Sequence, residues 1–585
     1  MSTSPNASAS GAPVRDNGPT RELLNRRQQV VELLAAERER HATAHFFSVR
    51  GEIARHIRSL EQRLASIDSE LRERAGDHTA SLTDRSRLSR LLPAALFVLA
   101  AIIILVLPFW IVRYPPLLDY PNHLARVFIL AHLHDPAFHF SEYYASDWGP
   151  YPYLTMDALM VMLQKFCNVF TAGKILLSLS VVAVPFASWF FVRQANPGNI
   201  LLAGLSLITT WNLFFLWGFI NMQLSMALVL LVVGLWLRYL RRPTWQQLCI
   251  FLLVTIVLYF THLLGFGIAG LAVAGYCILK RKSFRQLILG CLPFAIGALT
   301  HVVTRIVIAG GESRQPNDPW EIIWRPLSEK AEELGSFIQG YSPRMDKITV
   351  IALAVACLAA WWRNREFHWN RTWALFIAGL FALYWIFPAG YGVGADADVR
   401  LLPFILLFLP AVANFGKRSR WLFVVVLLLF LARSAVVTKT FLAKQPELAG
   451  LARAISETPA NARVLPIVEA KGEVEQEPPQ HRPYAHFWAY GTIERGWFTP
   501  YLFAERGLQV LRITVDTTTP DGFWDLEYEE EPEWQDIAEE YDYVWAFNVP
   551  RYTPQLQQIS EVVFKDGDLT MYRIKKPEDE NNSGP

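Results

Sequence analysis

Eleven apolar stretches, each close to the length of a membrane-spanning helix, constrain this chain more than any other feature of its sequence. A helix needs about 20 apolar residues to cross the hydrocarbon core of a bilayer. Lipid offers no partner to a free backbone amide, so helices are the plausible spanning form for such stretches. We therefore predict a polytopic α-helical membrane protein, embedded in the lipid bilayer, whose spans lie at 91–112, 173–192, 199–216, 220–237, 246–262, 264–280, 286–308, 347–362, 372–388, 401–416 and 420–437.

Composition agrees with a membrane protein and excludes some other classes. Of the 585 residues, 52% are hydrophobic and only 18% are charged, whereas soluble proteins average about 25% charged residues. The net charge is +2 and no long basic face stands out, so we expect no nucleic-acid partner. The cysteines have the spacing of neither a metal knuckle nor a disulfide framework, and we interpret them as apolar packing residues: Cys167, Cys249, Cys277, Cys291 and Cys357.

The charges of the short loops predict the orientation of the chain. With a cytoplasmic N-terminus, the three short outside loops carry a single cation, Arg400, while the five inside loops carry 14 Lys and Arg residues. Cationic loops are retained in the cytoplasm, so this asymmetry predicts an inside N-terminus and, with eleven spans, an outside C-terminus. We expect a bacterial inner membrane protein whose cytoplasmic loops are 193–198, 238–244, 280–285, 363–371 and 417–420.

The 90 residues before the first span divide into two parts. Residues 1–20 are rich in Ser, Pro, Ala and Gly, which is typical of disorder. From 21 to 90, apolar residues recur at steps of three and four between Arg and Glu, which predicts a cytoplasmic helical segment. It is either a hairpin or coiled coil, which could bind a protein partner, or a solvated amphipathic helix near the membrane. No cleavable signal peptide precedes residue 91, so the first span is expected to act as the insertion signal.

Three larger segments are predicted to face the outside. They are the first loop, 113–172, a middle loop, 309–346, and the tail, 438–585. The tail alternates β-rich, aromatic segments with helical ones, which predicts a small periplasmic α/β domain. Its aromatic stretches at 483–491 and 495–498 suit either the stacking of sugars or, more simply, a core or a membrane-docking surface.

The opening of the first loop carries the most chemistry. Pro115 and Pro116 end the first span, and Asp119, His123 and Arg126 follow at spacings that place them together if a helix begins near Pro121. A carboxylate there can accept a proton from a hydroxyl group, while the cations bind a phosphate leaving group. The simpler alternative is an Asp that caps a helix, with His and Arg on its surface.

Further polar residues lie near the outer membrane face and are candidates for substrate binding. Asp157 lies in an apolar stretch, 154–170, that we predict to be an interfacial helix, where it is a second carboxylate or a polar-face residue. Asn221, His262 and Arg400 lie at the outer ends of spans, where charged and polar groups are costly and often functional. The alternatives are a helix cap for Asn221, a turn for His262 and a snorkelling anchor for Arg400.

The first loop also resembles that of a known superfamily. An Asp that opens the loop, followed by Tyr151-Pro152-Tyr153-Leu154 before a horizontal helix and the second span, is similar to the GT-C glycosyltransferases. These include the protein O-mannosyltransferases and the lipid A aminoarabinose transferases. The resemblance covers the architecture of 91–437, which we take as a GT-C-like transmembrane domain. It implies that Asp119 is the catalytic base, that Arg400 binds phosphate and that the donor is a polyprenyl-phosphate sugar.

The resemblance therefore predicts a membrane glycosyltransferase that moves a sugar from a polyprenyl-phosphate donor to a glycan, lipid or protein at the periplasmic face. No cofactor is implied. The turn between the third and fourth spans lacks the acidic residue of the metal-dependent oligosaccharyltransferases, so we expect no metal. Two other hypotheses remain open: a glycolipid transporter or flippase that catalyses no transfer, and a membrane scaffold of a surface-polysaccharide system.

Overall fold

The computed structural model describes residues 18–43, 47–309, 322–362, 368–391, 396–468, 481–504, 508–517 and 533–576. Most of the segment predicted to be disordered, 1–17, lies outside these residues. The helices are α1 (Gly18–Thr43), α2 (Phe47–Trp110), α3 (Tyr120–His132), α4 (Phe140–Tyr143), α5 (Leu154–Leu163), α6 (Val169–Ala195), α7 (Ser206–Thr210), α8 (Leu213–Trp217), α9 (Ile220–Arg241), α10 (Trp245–Thr261), α11 (Leu263–Leu279), α12 (Phe284–Ala309), α13 (Leu327–Glu333), α14 (Pro343–Trp362), α15 (Arg371–Ile386), α16 (Leu402–Phe408), α17 (Ser419–Glu457), α18 (Ala489–Arg495), α19 (Trp534–Glu540) and α20 (Thr553–Ile559).

The strands are short outside the tail. They are β1 (Tyr144–Ser146), β2 (Ile322–Ile323), β3 (His368–Trp369), β4 (Gly390–Tyr391), β5 (Ala413–Asn414), β6 (Val464–Val468), β7 (Leu511–Ile513), β8 (Tyr543–Phe547), β9 (Ser560–Asp566) and β10 (Leu569–Ile574).

The structure is mostly helical and contains several helices long and apolar enough to cross a membrane. Among the described residues six helical segments meet both conditions, and six further apolar helices are shorter. The long ones are Val169–Ala195, Pro197–Trp217, Ile220–Arg241, Phe284–Val307, Pro343–Trp362 and Gly416–Glu457. The short ones are Ala95–Trp110, Leu154–Leu163, Trp245–Thr261, Leu263–Leu279, Arg371–Ile386 and Val399–Ala411. Eleven spans remain a prediction.

Two of the predicted spans are not regular helices. The segment predicted at 199–216 begins as a 3₁₀ helix, Pro197–Leu205, in which Asn199 has non-helical backbone angles, and continues as α7 and α8. The segment predicted at 401–416 is helical only from Val399 to Ala411, because Pro410 has no N–H to continue the ladder and the chain then enters β5. The predicted interfacial helix at 154–170 is also shorter and ends at Leu163.

The described residues up to 101 form a compact unit of their own. Arg27 pairs with Asp68 and Arg38 pairs with Glu61, both at 2.7 Å, and these pairings place α1 antiparallel to the first part of α2. Leu23, Leu34 and Leu60 are buried. Helices α1 and α2 thus pair along this stretch, and α2 runs through residue 90 without a break. The coiled coil remains a prediction.

The described residues from 102 to 576 form the second compact unit. Helix α17 runs for 39 residues, so the span predicted at 420–437 and the beginning of the tail belong to one helix. The tail contains a four-stranded sheet in the order β6-β8-β10-β9, in which β6 is parallel to β8 and the other pairs are antiparallel. Helices α19 and α20 precede β8 and β9, which makes this region an α/β fold.

The first loop and the tail are built together. Strand β1 of the loop pairs antiparallel with β7 of the tail. The Tyr144 hydroxyl donates to the carbonyl oxygen of Thr499 at 3.1 Å. The Asn122 side chain accepts from the Phe503 N–H at 2.8 Å and donates to the Tyr501 carbonyl oxygen at 3.0 Å. Every polar group of the amide is thus used to hold the tail against α3.

The middle loop fixes the segment that leads to Arg400. Arg325 pairs with Asp396 at 2.6 Å and with Asp398 at 3.1 Å. Lys330 is buried and lies 3.1 Å from the other oxygen of Asp398. Asp398 in turn accepts from the Val399 N–H at the start of the 3₁₀ turn that contains Arg400. Two cations therefore fix the side chain of Asp398, two residues before Arg400.

Candidate functional site

Asp119 lies at the N-terminal end of α3, where the sequence places it. Its N–H donates to the Trp217 carbonyl oxygen at 2.8 Å, and its own carbonyl oxygen accepts from the His123 N–H at 3.0 Å. Pro121 occupies the first turn, where its missing N–H costs nothing. The side chain makes no capping hydrogen bond, so the carboxylate is not used to stabilise the helix.

The Asp119 carboxyl group is buried, and one of its two oxygens has no hydrogen bond. The residue is only 6% exposed, and Oδ1 has no hydrogen-bond partner within the described part of the chain. Burial raises the pKa of Asp119 from its usual 3.8 to about 8, and the Arg400 guanidinium opposes this rise. A carboxylate with such a pKa accepts protons more readily than an exposed one near neutral pH.

Arg400 reaches the same region through the turn between α8 and α9. Its guanidinium stacks on Phe219, 4.6 Å from the ring centroid, and this turn is also the one that holds Asp119 through Trp217. Arg400 interacts electrostatically with Asp119, with Tyr153 and with His262. Its Nε is buried and has no hydrogen-bond partner among the described residues. Arg400 therefore keeps an unused donor, and its charge acts on the buried carboxyl group of Asp119.

Gly218 is required where this turn meets Asp119. Its φ is +99°, a backbone conformation that favours glycine. A Cβ atom there would lie 2.9 Å from the Tyr120 nitrogen and 3.0 Å from the Asp119 nitrogen, so the two backbones touch. Any side chain at this position would push Asp119 away.

His123 and Arg126 occupy the next turns of α3, and Arg126 pairs with Asp157 of α5. The His123 ring packs 5.1 Å from the ring of Phe503, and burial, with Arg126 and His486 nearby, lowers its pKa well below the usual range. Arg126 and Asp157 are 2% and 1% exposed and bind each other, with Nη2 2.6 Å and Nε 3.2 Å from Oδ1. The structure thus shows these two predicted binding residues occupied with one another.

Two further predicted binding residues border the same region. His262 lies between α10 and α11 and packs edge-to-face against Tyr153, with 5.2 Å between ring centroids. Asn221 lies in the first turn of α9, where Phe219 rather than Asn221 occupies the capping position. The Asn221 Oδ1 and the His262 Nδ1 have no hydrogen-bond partners among the described residues. Their predicted roles remain predictions.

Sequence reasoning missed one residue of the site. His486 of the tail places its Nε2 3.5 Å from Asp119 Oδ1. Its neighbours Phe487, Trp488 and Tyr490 are buried, so the aromatic segment 483–491 is core, the simpler of the two interpretations. A lone histidine within that segment was the only available signal. Among the described residues, no three His, Cys, Asp or Glu side chains form a metal-binding group.

Comparisons with known proteins identify the fold. No protein-family model matches the sequence, and no curated protein matches it either. Two crystal structures of ArnT from Cupriavidus metallidurans, a GT-C aminoarabinose transferase, are similar, each at 11% identity. The apo structure has a TM-score of 0.49 and covers 83% of this chain and 98% of that chain. The structure bound to undecaprenyl phosphate has a TM-score of 0.51 and covers 82% and 97%. The latter confirms the GT-C-like fold that the first loop suggested.

Proposed function

We propose that this protein is an integral-membrane glycosyltransferase that uses a polyprenyl-phosphate-linked sugar as donor and Asp119 as general base. The observation that carries the proposal is a buried Asp119 carboxyl group, free of hydrogen bonds at Oδ1 and accompanied by Arg400. It lies on a fold shared with ArnT, which has been crystallised with undecaprenyl phosphate. A buried carboxyl group serves such a reaction, because it can bind the proton that the acceptor must lose.

The reaction needs few groups. The acceptor hydroxyl gives its proton to the Asp119 carboxylate while its oxygen attacks the anomeric carbon of the sugar. The bond from that carbon to the phosphate oxygen breaks, and polyprenyl phosphate leaves with the electron pair. Arg400, whose Nε is available, neutralises the charge that develops on the phosphate. Tyr153, Asn221 and His262 would contact the sugar or the phosphate.

The orientation belongs to the same proposal. The basic short loops support a cytoplasmic N-terminus and a periplasmic tail. Asp119, Arg400 and the tail would then share the periplasmic face of the inner membrane, where lipid-linked donors supply sugars. The acceptor would be a glycan, a lipid or a protein that reaches this face.

Purified protein in proteoliposomes tests the proposal directly. Undecaprenyl-phosphate-linked hexoses, pentoses and aminopentoses would be supplied with a lipid extract of the source membrane as acceptor. We expect released undecaprenyl phosphate and a labelled acceptor with at least one of these donors. Movement of an intact donor between leaflets without cleavage, or no reaction with any donor, would contradict the transferase and favour the flippase or the scaffold.

Two arginine variants make the assay specific. Arg400→Gln should slow release of undecaprenyl phosphate by about 10²-fold or more, as expected when a cation that stabilises the leaving group is lost. Arg420→Gln is the matched control, because Arg420 is exposed and lies outside the site. Equal losses in both variants would mean that general attraction to the lipid, and not the site, binds the phosphate.

A glycine substitution tests the contact between the α8–α9 turn and Asp119. Gly218→Ala should reduce transfer by about 10²-fold, because a shift of about 1 Å in a catalytic group has this effect. The matched control is Gly267→Ala in α11, where an added Cβ would meet no atom within 4 Å. Transfer rates would be compared at equal amounts of inserted protein. Wild-type activity in Gly218→Ala would show that Asp119 need not be held in this position.

A further inference from the structure

We propose that His486 of the C-terminal tail is a positioning residue for Asp119, with its Nε2–H directed at the carboxylate oxygen Oδ1. This inference rests on the proposed function, since it assigns a partner to the base. It also makes the tail a part of the active site and not an accessory domain. The two side chains lie 3.5 Å apart, and catalytic hydrogen bonds that are long in the free enzyme tighten when substrate binds.

The hydrogen bonds of Asn122 determine which nitrogen of His486 carries the proton. The Phe503 N–H, which can only donate, binds Asn122 Oδ1 at 2.8 Å, so the amide nitrogen must point the other way. That nitrogen donates to the Tyr501 carbonyl oxygen and lies 3.4 Å from His486 Nδ1. Because an amide NH₂ group only donates, Nδ1 must accept.

The neutral ring then carries its proton on Nε2. Burial lowers the pKa of His486 to about 3, so the ring is neutral at physiological pH. A neutral imidazole with an accepting Nδ1 has its hydrogen on the other nitrogen, and that nitrogen faces Asp119. The chain of contacts from Phe503 through Asn122 and His486 therefore ends in a donor aimed at the carboxylate.

The surroundings hold the ring in this orientation. His486 is 1% exposed and packs against the rings of Trp488 and Phe503, whose centroids lie 5.7 and 5.4 Å from its own. His123 also packs against Phe503 and interacts electrostatically with His486. Burial lowers the pKa of both histidine rings. A donor fixed in this way stabilises the ionised carboxylate and turns one oxygen away, leaving the other for the acceptor hydroxyl.

Two substitutions separate this role from simple docking of the tail. In His486→Asn, the amide oxygen can replace Nδ1 and keep the contact with Asn122, but no donor reaches Asp119. In His486→Gln, the longer amide can place its NH₂ group near the position of Nε2. His139→Asn is the control, because His139 is exposed and pairs with Glu142 on the surface of the first loop.

Infrared spectroscopy of the full chain in nanodiscs measures the protonation state of Asp119 without any substrate. The carbonyl stretch of a protonated carboxylic acid would be followed against pH and assigned by its loss in Asp119→Asn. Losing a donor to the charged form raises the pKa of a carboxyl group. We expect the midpoint to rise by about 0.5 to 1 pH unit in His486→Asn, to return most of the way in His486→Gln and to stay unchanged in His139→Asn.

An unchanged midpoint in His486→Asn would overturn the proposal. Nitrogen NMR of ¹⁵N-histidine in the wild-type protein provides a second test that requires no stable His486→Asn variant. The chain has 13 histidines, and the signal that disappears in His486→Gln belongs to His486. Its chemical shifts should be those of a neutral ring protonated on Nε2. A ring protonated on Nδ1 would also overturn the proposal. If both results are as expected but Asp119→Asn retains transfer activity, His486 still positions Asp119, but Asp119 is not the catalytic base.

Discussion

Replacing Asp119 by Asn should lower the rate of sugar transfer by about 10²–10⁴-fold, the usual contribution of a general base. The amide has nearly the shape of the carboxyl group but cannot accept the acceptor's proton. Release of undecaprenyl phosphate from a lipid-linked sugar, measured at equal amounts of inserted protein, is the readout. Full activity in this variant would exclude Asp119 as the base.

The pH dependence of wild-type activity should also reflect the role of Asp119 as a base. The base works only when ionised, so kcat/KM should rise with pH through the pKa of the free enzyme, which lies at about 8 and not near 3.8. For stability the sign is opposite. The raised pKa means that the folded state favours the protonated carboxyl group, so stability falls as pH rises from about 4 through about 8.

The Asn variant should lose this pH dependence of stability. The Asn side chain carries no charge at any pH. Above pH 8 the variant should therefore unfold at a higher temperature than the wild-type protein. This result would also show that its lost activity does not come from misfolding. An Asn variant that is less stable than the wild-type protein at high pH would contradict the burial of an uncompensated carboxylate.

Arg126→Met should be the most destabilising substitution in the first loop. Arg126 and Asp157 are almost fully buried, and the substitution leaves a carboxylate without its partner. Breaking a buried ion pair in this way costs about 3–5 kcal/mol. We expect the midpoint of thermal unfolding in nanodiscs to fall by roughly 5 °C or more. The matched control is Arg453→Met, which breaks the exposed pair with Asp566 and should have little effect.

A double variant distinguishes structure from substrate binding. Replacing both partners, as in Arg126→Met with Asp157→Leu, removes the unpaired charge and should restore most of the stability. If the pair only joins α3 to α5, the double variant should also transfer sugar normally. If either residue binds substrate, as the sequence predicted, the double variant would be stable but slow.

Local features of the sequence predicted much of the helical framework. The helix predicted at 246–262 is found at Trp245–Thr261, because its apolar length is bounded by a capping Thr244 at one end. Asp119 was placed at the start of α3 by the prolines around it, which act on their immediate neighbours. Such signals act over a few residues, so they can be recognised from the sequence alone.

The rest of the site depends on contacts that no local pattern encodes. His486 is 364 residues from Asn122, which orients it, and Phe503 is 381 residues from the same side chain. The close approach of Gly218 to Asp119 likewise depends on how two distant turns pack. The pairing of Arg126 with Asp157 was missed because each was assigned to substrate and not to the other. A single sequence gives no distance between such residues.

The pairing of the first loop with the tail has a consequence for biosynthesis. Strand β1 and Asn122 emerge early, but β7, His486 and Phe503 are translated more than 360 residues later. At 5–20 residues per second the loop waits roughly 20–70 s for its partner. Under the proposed topology, both must also cross the membrane before they meet. A nascent or truncated chain would therefore carry Asp119 in an unfinished loop, and only a fully translated protein would have an assembled base.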